Sequence, residues 1–180
     1  MNHASAQAYH PILVPLGRSV LFLSLLVPVA CVSDDRPFPE PPRAVPTQPP
    51  GITPTTLLIS ASQFPADSDR NGFADTIEIT AYLFAEQHRA PLAVPGTFRF
   101  ALLDPASAPL AEWEFDQAQS TAQARVFMPG PGYSFRLNML DVATDRLPAT
   151  QARLMAFFTP TGSATAIEPR SATTIVVGAR

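Results

Sequence analysis

From residue 56 to the C-terminus, apolar and polar side chains alternate with a period of two, in short runs cut by clusters of Gly, Pro, Asn and Asp. Successive side chains of an extended chain point to opposite faces, so this period describes strands with one face buried and one in water. Phe98, Phe100 and Leu102 fall on one side of such a run while Thr97, Arg99 and Ala101 fall on the other. Tyr133, Phe135, Leu137 and Met139 oppose Ser134, Arg136 and Asn138 in the same way. The pattern predicts strands over residues 56–62, 76–86, 97–104, 111–116, 124–128, 133–141, 153–159 and 172–177. The breaks between them are turn formers: Asn71-Gly72, Pro95-Gly96, Asp104-Pro105, the Pro-Gly-Pro-Gly run at 129–132, and Pro160-Thr161-Gly162. No stretch carries a sustained helical period, and the polar segment 117–123 is read as a turn at most.

About 7–8 short strands spaced by turns read as two packed antiparallel sheets. The layout resembles the immunoglobulin-like and fibronectin-type modules common in exported bacterial proteins. The expected fold is therefore all-β, an immunoglobulin-like antiparallel β-sandwich over residues 56–180. A chain of 180 residues leaves room for one such domain with a core of ordinary size.

The segment before the domain has a different character. Residues 19–30 are almost wholly apolar, Arg18 precedes them and Cys31 follows at once, giving the charged, apolar and small-residue regions of an export signal in order. The apolar run is shorter than the ~20 residues a membrane-spanning helix needs. Pro28, Val29, Ala30 and Cys31 resemble the bacterial lipobox, a small-residue tetrad ending in the cysteine that receives lipid. That resemblance makes residues 1–31 an export signal and Cys31 the lipid acceptor. An ordinary signal peptide with an incidental cysteine is the other reading. If lipidated, Cys31 would carry several acyl chains, and at ~0.8 kcal/mol per buried CH₂ these make a stable membrane anchor. In lipoproteins of two-membrane bacteria, Asp just after the modified cysteine signals inner-membrane retention; here Val32 stands there, which favours the outer membrane in such a host.

Residues 32–55 read as a proline-rich linker, with prolines at 37, 39, 41, 42, 46, 49, 50 and 54. Proline removes backbone donors and fixes φ, so neither a helix nor a central strand fits. An extended polyproline spacer rises ~3.1 Å per residue, so such a stalk reaches up to ~60 Å.

The one local motif with a mechanism behind it is Asp67-Ser68-Asp69-Arg70-Asn71-Gly72-Phe73-Ala74-Asp75. Side-chain oxygens at alternate positions, a glycine for the bend, the Phe73 carbonyl and a further carboxylate at Asp75 form a set that wraps a hard cation, and calcium takes six or more oxygens. Glu78 falls at the twelfth position of an EF-hand count. The flanks alternate like strands and Ala74 replaces the usual branched residue, so a helix-loop-helix is rejected. The loop resembles the calcium hairpins of integrin-type propeller blades in spacing only. The expected metal set is Asp67, Asp69, Asn71, Phe73, Asp75 and Glu78, with calcium as a structural cofactor. The competing reading is an Asn-Gly hairpin turn decorated with solubilising aspartates.

The remaining inventory is poor in catalytic groups. All 12 basic residues are Arg, so no Schiff-base lysine exists; beyond the leader His88 is the only histidine, and Cys31 is the only cysteine. Zinc sites, Ser-His-Asp triads and phosphate-binding loops lack their parts. The net charge of -3 offers no basic footprint for nucleic acid. His88 is expected in a solvent-exposed loop. Glu112, Glu114 and Asp116 share one strand face, which suits a carboxylate-dependent hydrolase or, more simply, the wet face of a strand whose Ala111, Trp113 and Phe115 turn inward. Trp113, Tyr82 and Tyr133 are the rings a glycan-binding module would use, although a lone Trp in an alternating strand is more often core. The expected function is that of a membrane-anchored envelope lipoprotein: a non-catalytic binding or structural accessory module with the membrane, an envelope protein or a glycan as partner. The alternatives are a glycan-binding module and an envelope hydrolase.

Overall fold

The structure, a computed structural model, describes residues 43–46 and 48–179. The leader, Cys31 and the first part of the proline-rich segment lie outside the described residues. The strands are β1 (Thr56–Ala61), β2 (Phe73–Ala74), β3 (Thr76–Ala85), β4 (His88–Leu92), β5 (Gly96–Leu103) and β6 (Pro109–Phe115), then β7 (Ala124–Phe127), β8 (Gly130–Asn138), β9 (Thr150–Pro160) and β10 (Thr173–Ala179). A short α-helix of six residues, α1 (Gln117–Ala122), lies between β6 and β7 where only a turn is expected, and a 3-10 turn, Met139–Asp141, follows β8.

Two five-stranded antiparallel sheets form a β-sandwich. One has the order β1-β3-β8-β7, with β4 paired to the far end of β3; the other has the order β2-β10-β9-β5-β6. Setting aside the short β2 and β4, this is the A-B-E-D sheet of an immunoglobulin-type sandwich over its G-F-C-C′ sheet. Each of the eight expected strands is present. The two additional ones escape periodicity for simple reasons. β2 has only two residues, and β4 reads His-Arg-Ala-Pro-Leu, with Pro91 and no alternation. His88 consequently opens a strand and is half-buried, not an exposed loop residue.

The Pro-Gly-Pro-Gly run also behaves differently from a break. Gly130, Pro131 and Gly132 already belong to β8 and pair with Phe127, Val126 and Arg125. β8 gains its second neighbour, β3, only from Tyr133 onward, so Pro131 sits where a missing N–H costs no ladder bond on that side.

The core lies between the sheets and is rich in rings. Phe98 and Phe100 on β5, Phe158 on β9 and Tyr133 and Phe135 on β8 are all essentially inaccessible to solvent. Phe98 sits at the middle, with ring centroids 4.6 Å from Phe158, 4.8 Å from Tyr133 and 4.9 Å from Phe135. Tilted packing at these separations suits the ring quadrupole and adds to the burial of large apolar area. Trp113 is buried as well, and its Nε1–H donates to the Asn138 carbonyl at 3.0 Å, tying β6 of one sheet to β8 of the other.

The end of the proline-rich segment packs on this sandwich. Ile52 lies against the core, Pro54 is buried, and the Thr55 N–H donates to Phe84 O at 2.8 Å. The packed domain thus begins several residues before β1. At the far end of the chain, Gly178 has φ +88, and a Cβ there would meet the Leu147 and Pro148 carbonyl oxygens at 2.5 Å. Only glycine lets residues 142–149 close over β10, where Ala179 N–H donates to Leu147 O at 2.9 Å.

Candidate metal centre

After β1 the chain leaves the first sheet, touches the edge of the second through β2, and returns as β3. Residues 62–75 therefore form a long crossing loop. A short antiparallel bridge between Ala66 and Thr76 closes its base: Ala66 N–H donates to Thr76 O at 2.8 Å, and Ala66 O accepts from Thr76 N–H at 3.0 Å.

Within that loop Asp67, Asp69 and Asp75 come together, each offering a carboxylate oxygen within 4.8 Å of the others. Two oxygens bound to one calcium at 2.3–2.6 Å stand no more than about 5 Å apart, so this spacing meets the geometric limit for a shared ion. Asp67 is half-buried, Asp69 exposed and Asp75 fully buried. Backbone donors shape the cluster. Asp67 accepts from the N–H of Asn71 at 3.0 Å and of Gly72 at 2.9 Å, and Asp69 accepts from Asn71 N–H at 3.1 Å. Asp75 accepts from the Ser68 N–H at 3.1 Å and from its hydroxyl at 2.8 Å. A carboxylate has about four lone-pair positions, so these bonds leave acceptor capacity on each.

Burial pushes the Asp75 carboxyl up, but the donors around it, the Thr76 and Ser68 hydroxyls and the Ser68 and Asp69 amides, outweigh burial and hold it below the ordinary aspartate value. The Thr76 hydroxyl acts through proximity, since it makes no hydrogen bond of good geometry. A depressed folded-state pKa contributes stability that is complete above the unfolded aspartate value near 3.9 and is lost as pH falls through the folded value. Asp75→Asn is therefore expected to cost about 1–3 kcal/mol at neutral pH and to show a shallower loss of stability below pH 4 than the parent, measured by urea unfolding across pH 2 to 7.

The other expected ligands are placed as follows. Asn71 turns its Oδ1 to the Phe73 N–H at 2.8 Å and its Nδ2 to Asp69 at 2.9 Å. Phe73 lies in β2 opposite Ala179, at the edge of the second sheet. Glu78 is exposed on β3 opposite Arg136 and does not belong to the three-carboxylate group. The Asn-Gly pair is not a tight two-residue hairpin turn: positive φ falls on Arg70 and Gly72, and the loop around them is long.

Sequence reading missed Asp145. This aspartate is 2% exposed and accepts from Asn71 Nδ2 at 2.6 Å, across a separation of 74 residues. It ties the acidic loop to the segment that closes over β10. No local signal marks it, because the contact exists only after both segments have reached the same end of the sandwich. Met139 N–H, donating to Asp75 O at 2.8 Å, fixes the same end from the 3-10 turn after β8.

The residues weighed for other chemistry separate. Glu112 and Glu114 are exposed on β6, as alternation requires, with Ala111 and Trp113 buried between them. Asp116 leaves that row. It is the N-cap of α1, accepting from Gln119 N–H at 2.8 Å while its own N–H donates to Gln119 Oε1 at 2.9 Å, a reciprocal capping box. The face thus holds two glutamates, not three acids in a row. Trp113 and Tyr133 are core residues and present no ring to a sugar. Tyr82 alone is half-exposed, edge-on to Phe127 at 5.7 Å and lying over Gly132, where a Cβ would meet its ring at 2.8 Å.

Among known proteins, no family model matches the chain and no curated protein matches it. Among solved structures, the Bifidobacterium dentium β-glucuronidase complexed with coumarin-3-O-glucuronide aligns with 14% identity and a TM-score of 0.29. The alignment covers 69% of this chain and 17% of that one, and a likeness so slight carries no argument about activity.

Proposed function

We propose that this chain is a lipid-anchored envelope protein whose stalked β-sandwich works as a non-catalytic binding or structural accessory module, stabilised by calcium in its acidic loop. The observation that carries the metal part is the convergence of Asp67, Asp69 and Asp75 within 4.8 Å. These three would hold the ion, with hard oxygen donors of the kind calcium prefers. Its role would be structural: it would neutralise three close negative charges and brace the loop that passes between the two sheets. Glu78, on the exposed face of β3, is left out of this set.

The fold supports a display geometry. The linker enters at the start of β1 and the acidic loop leaves from its end, so roughly 20 Å of strand separates them. The loop accordingly lies at the other end of β1 from residue 55. The anchor itself rests on the Pro28 to Cys31 resemblance to a lipobox.

Two measurements test the reading. Mass spectrometry of the mature N-terminus is expected to find acylated Cys31 as its first residue; an unmodified cysteine, or a chain beginning elsewhere, removes the anchor. Adding calcium is expected to raise the melting temperature, since saturation at about 100 times Kd contributes about 2.7 kcal/mol. Excess chelator should reverse the shift and Asp67→Ala should abolish it. Superimposable melts with calcium and with chelator would sink the metal site.

A second reading keeps a glycan as ligand, now through Tyr82 with Phe84 and Phe127, three partly accessible rings that lie together on the outer face of the first sheet.

A further inference from the structure

We propose that Asn71 is a site of spontaneous covalent modification, and that the hydrogen bonds of the acidic loop hold its conversion to aspartate or isoaspartate in check until the loop opens. The proposal does not depend on a bound metal. It rests on the Asn71-Gly72 dipeptide and on the partners the structure gives each reacting atom.

The reaction is an intramolecular displacement. The Gly72 amide nitrogen attacks Asn71 Cγ and a new carbon–nitrogen bond forms. The Cγ–Nδ2 bond breaks, and the side-chain nitrogen leaves as ammonia, taking up the proton that the Gly72 amide gives up. Water then opens the five-membered imide at either carbonyl, leaving aspartate or isoaspartate. One water is consumed, one ammonia is released, and nothing is oxidised or reduced. Glycine in the second position favours the attack because it has no Cβ to hinder closure of the ring and has wide backbone freedom. Both residues are exposed, so solvent reaches them.

The folded loop opposes each of these movements. The attacking Gly72 N–H donates to Asp67 at 2.9 Å, and a carboxylate beside it disfavours the amide anion. The leaving nitrogen donates to Asp69 at 2.9 Å and to buried Asp145 at 2.6 Å. The amide oxygen is held by Phe73 N–H at 2.8 Å. Bonds to ionised acceptors are the stronger class, so the reactive conformation requires the loop to open first. Conversion would in turn loosen the loop. A carboxylate at position 71 has no donor for Asp69 or Asp145 and adds a negative charge beside both, so the tie between the loop and residues 142–149 would be lost.

The test follows peptide 71 by mass spectrometry in the full chain at neutral pH with chelator present, folded and in urea. The folded protein is expected to convert at least roughly tenfold more slowly than the unfolded chain, and Asp145→Ala to recover much of that difference. Equal rates in the folded and unfolded chain would overturn the proposal. So would a faster folded rate, since Asp67 would then be acting as a base on the Gly72 amide. A folded Asp145→Ala protein that converts as slowly as the parent would remove the Asp145 tie as the restraint. If that variant does not fold, the comparison of folded with unfolded parent decides alone.

Discussion

Replacing Phe98 by alanine is expected to destabilise the domain by about 3–5 kcal/mol, the range for removing a large ring from a packed interior. The ring is fully buried and touches Phe158, Tyr133 and Phe135 at centroid distances of 4.6–4.9 Å, so it contributes both to the burial of apolar area and to three tilted ring contacts. β5 sits between β9 and β6, and all three strands are held in register around this residue. Collapse into the vacancy would have to move backbone in both sheets, so the void should persist in part and the cost should lie toward the upper end. Small domains have only about 5–15 kcal/mol of net stability, so the variant should unfold at much lower urea concentration. Met128, fully exposed at the β7–β8 tip, provides the contrast: Met128→Ala should shift stability by no more than about 0.5 kcal/mol.

Tyr133→Phe is expected to cost about 2–4 kcal/mol although it removes one oxygen atom. The Tyr133 hydroxyl accepts from Val94 N–H and donates to Val94 O, both at 2.7 Å, in a buried site 39 residues away along the chain. Phenylalanine fills the same space and leaves both backbone groups without a partner, each worth about 1–3 kcal/mol when buried. The same residue predicts an alkaline limb. Burial pushes the phenol up to about 12, against a partial offset from the Val94 amide. A raised pKa means that the neutral phenol is favoured in the fold. Its contribution is complete below the unfolded value near 10 and is lost as pH climbs through the folded one, by about 3 kcal/mol between pH 10 and 12. Urea unfolding from pH 8 to 12 should show this decline in the parent and its absence in Tyr133→Phe; a parallel decline in both would assign it elsewhere.

The strands and their faces were legible in the residue order. Alternation placed Glu112 and Glu114 outward with Trp113 inward, and Phe98, Phe100, Tyr133 and Phe135 in the core. A period of two is a property of the extended chain itself, so it needs no partner to be read. Turn chemistry was legible for a similar reason at Asp104, whose Oδ1 accepts from Ala108 N–H at 2.8 Å. The Pro-Gly-Pro-Gly run misled because whether a proline is tolerated in a strand depends on which side has a neighbour, and that is a property of the sheet. Asp116 misled because a strand end and a helix cap share the same residue types until the following turn is seen.

What the sequence determined by itself is therefore a chain of short half-buried strands, an acidic loop between the first two long ones, and a proline-rich approach to the domain. Tertiary structure alone decided the sheet to which each strand belongs, because pairing partners lie far apart in the chain and every strand of this composition is locally equivalent. It also decided which acids meet. Asp67, Asp69 and Asp75 converge because the Ala66–Thr76 bridge closes the loop, while Glu78, only three residues on, is carried to the outer face of β3. Asp145 enters from 74 residues away because Gly178 lets residues 142–149 lie close over β10. Local chemistry can be read from neighbours in sequence, but a site built from two distant segments exists only once burial of the core has brought them together.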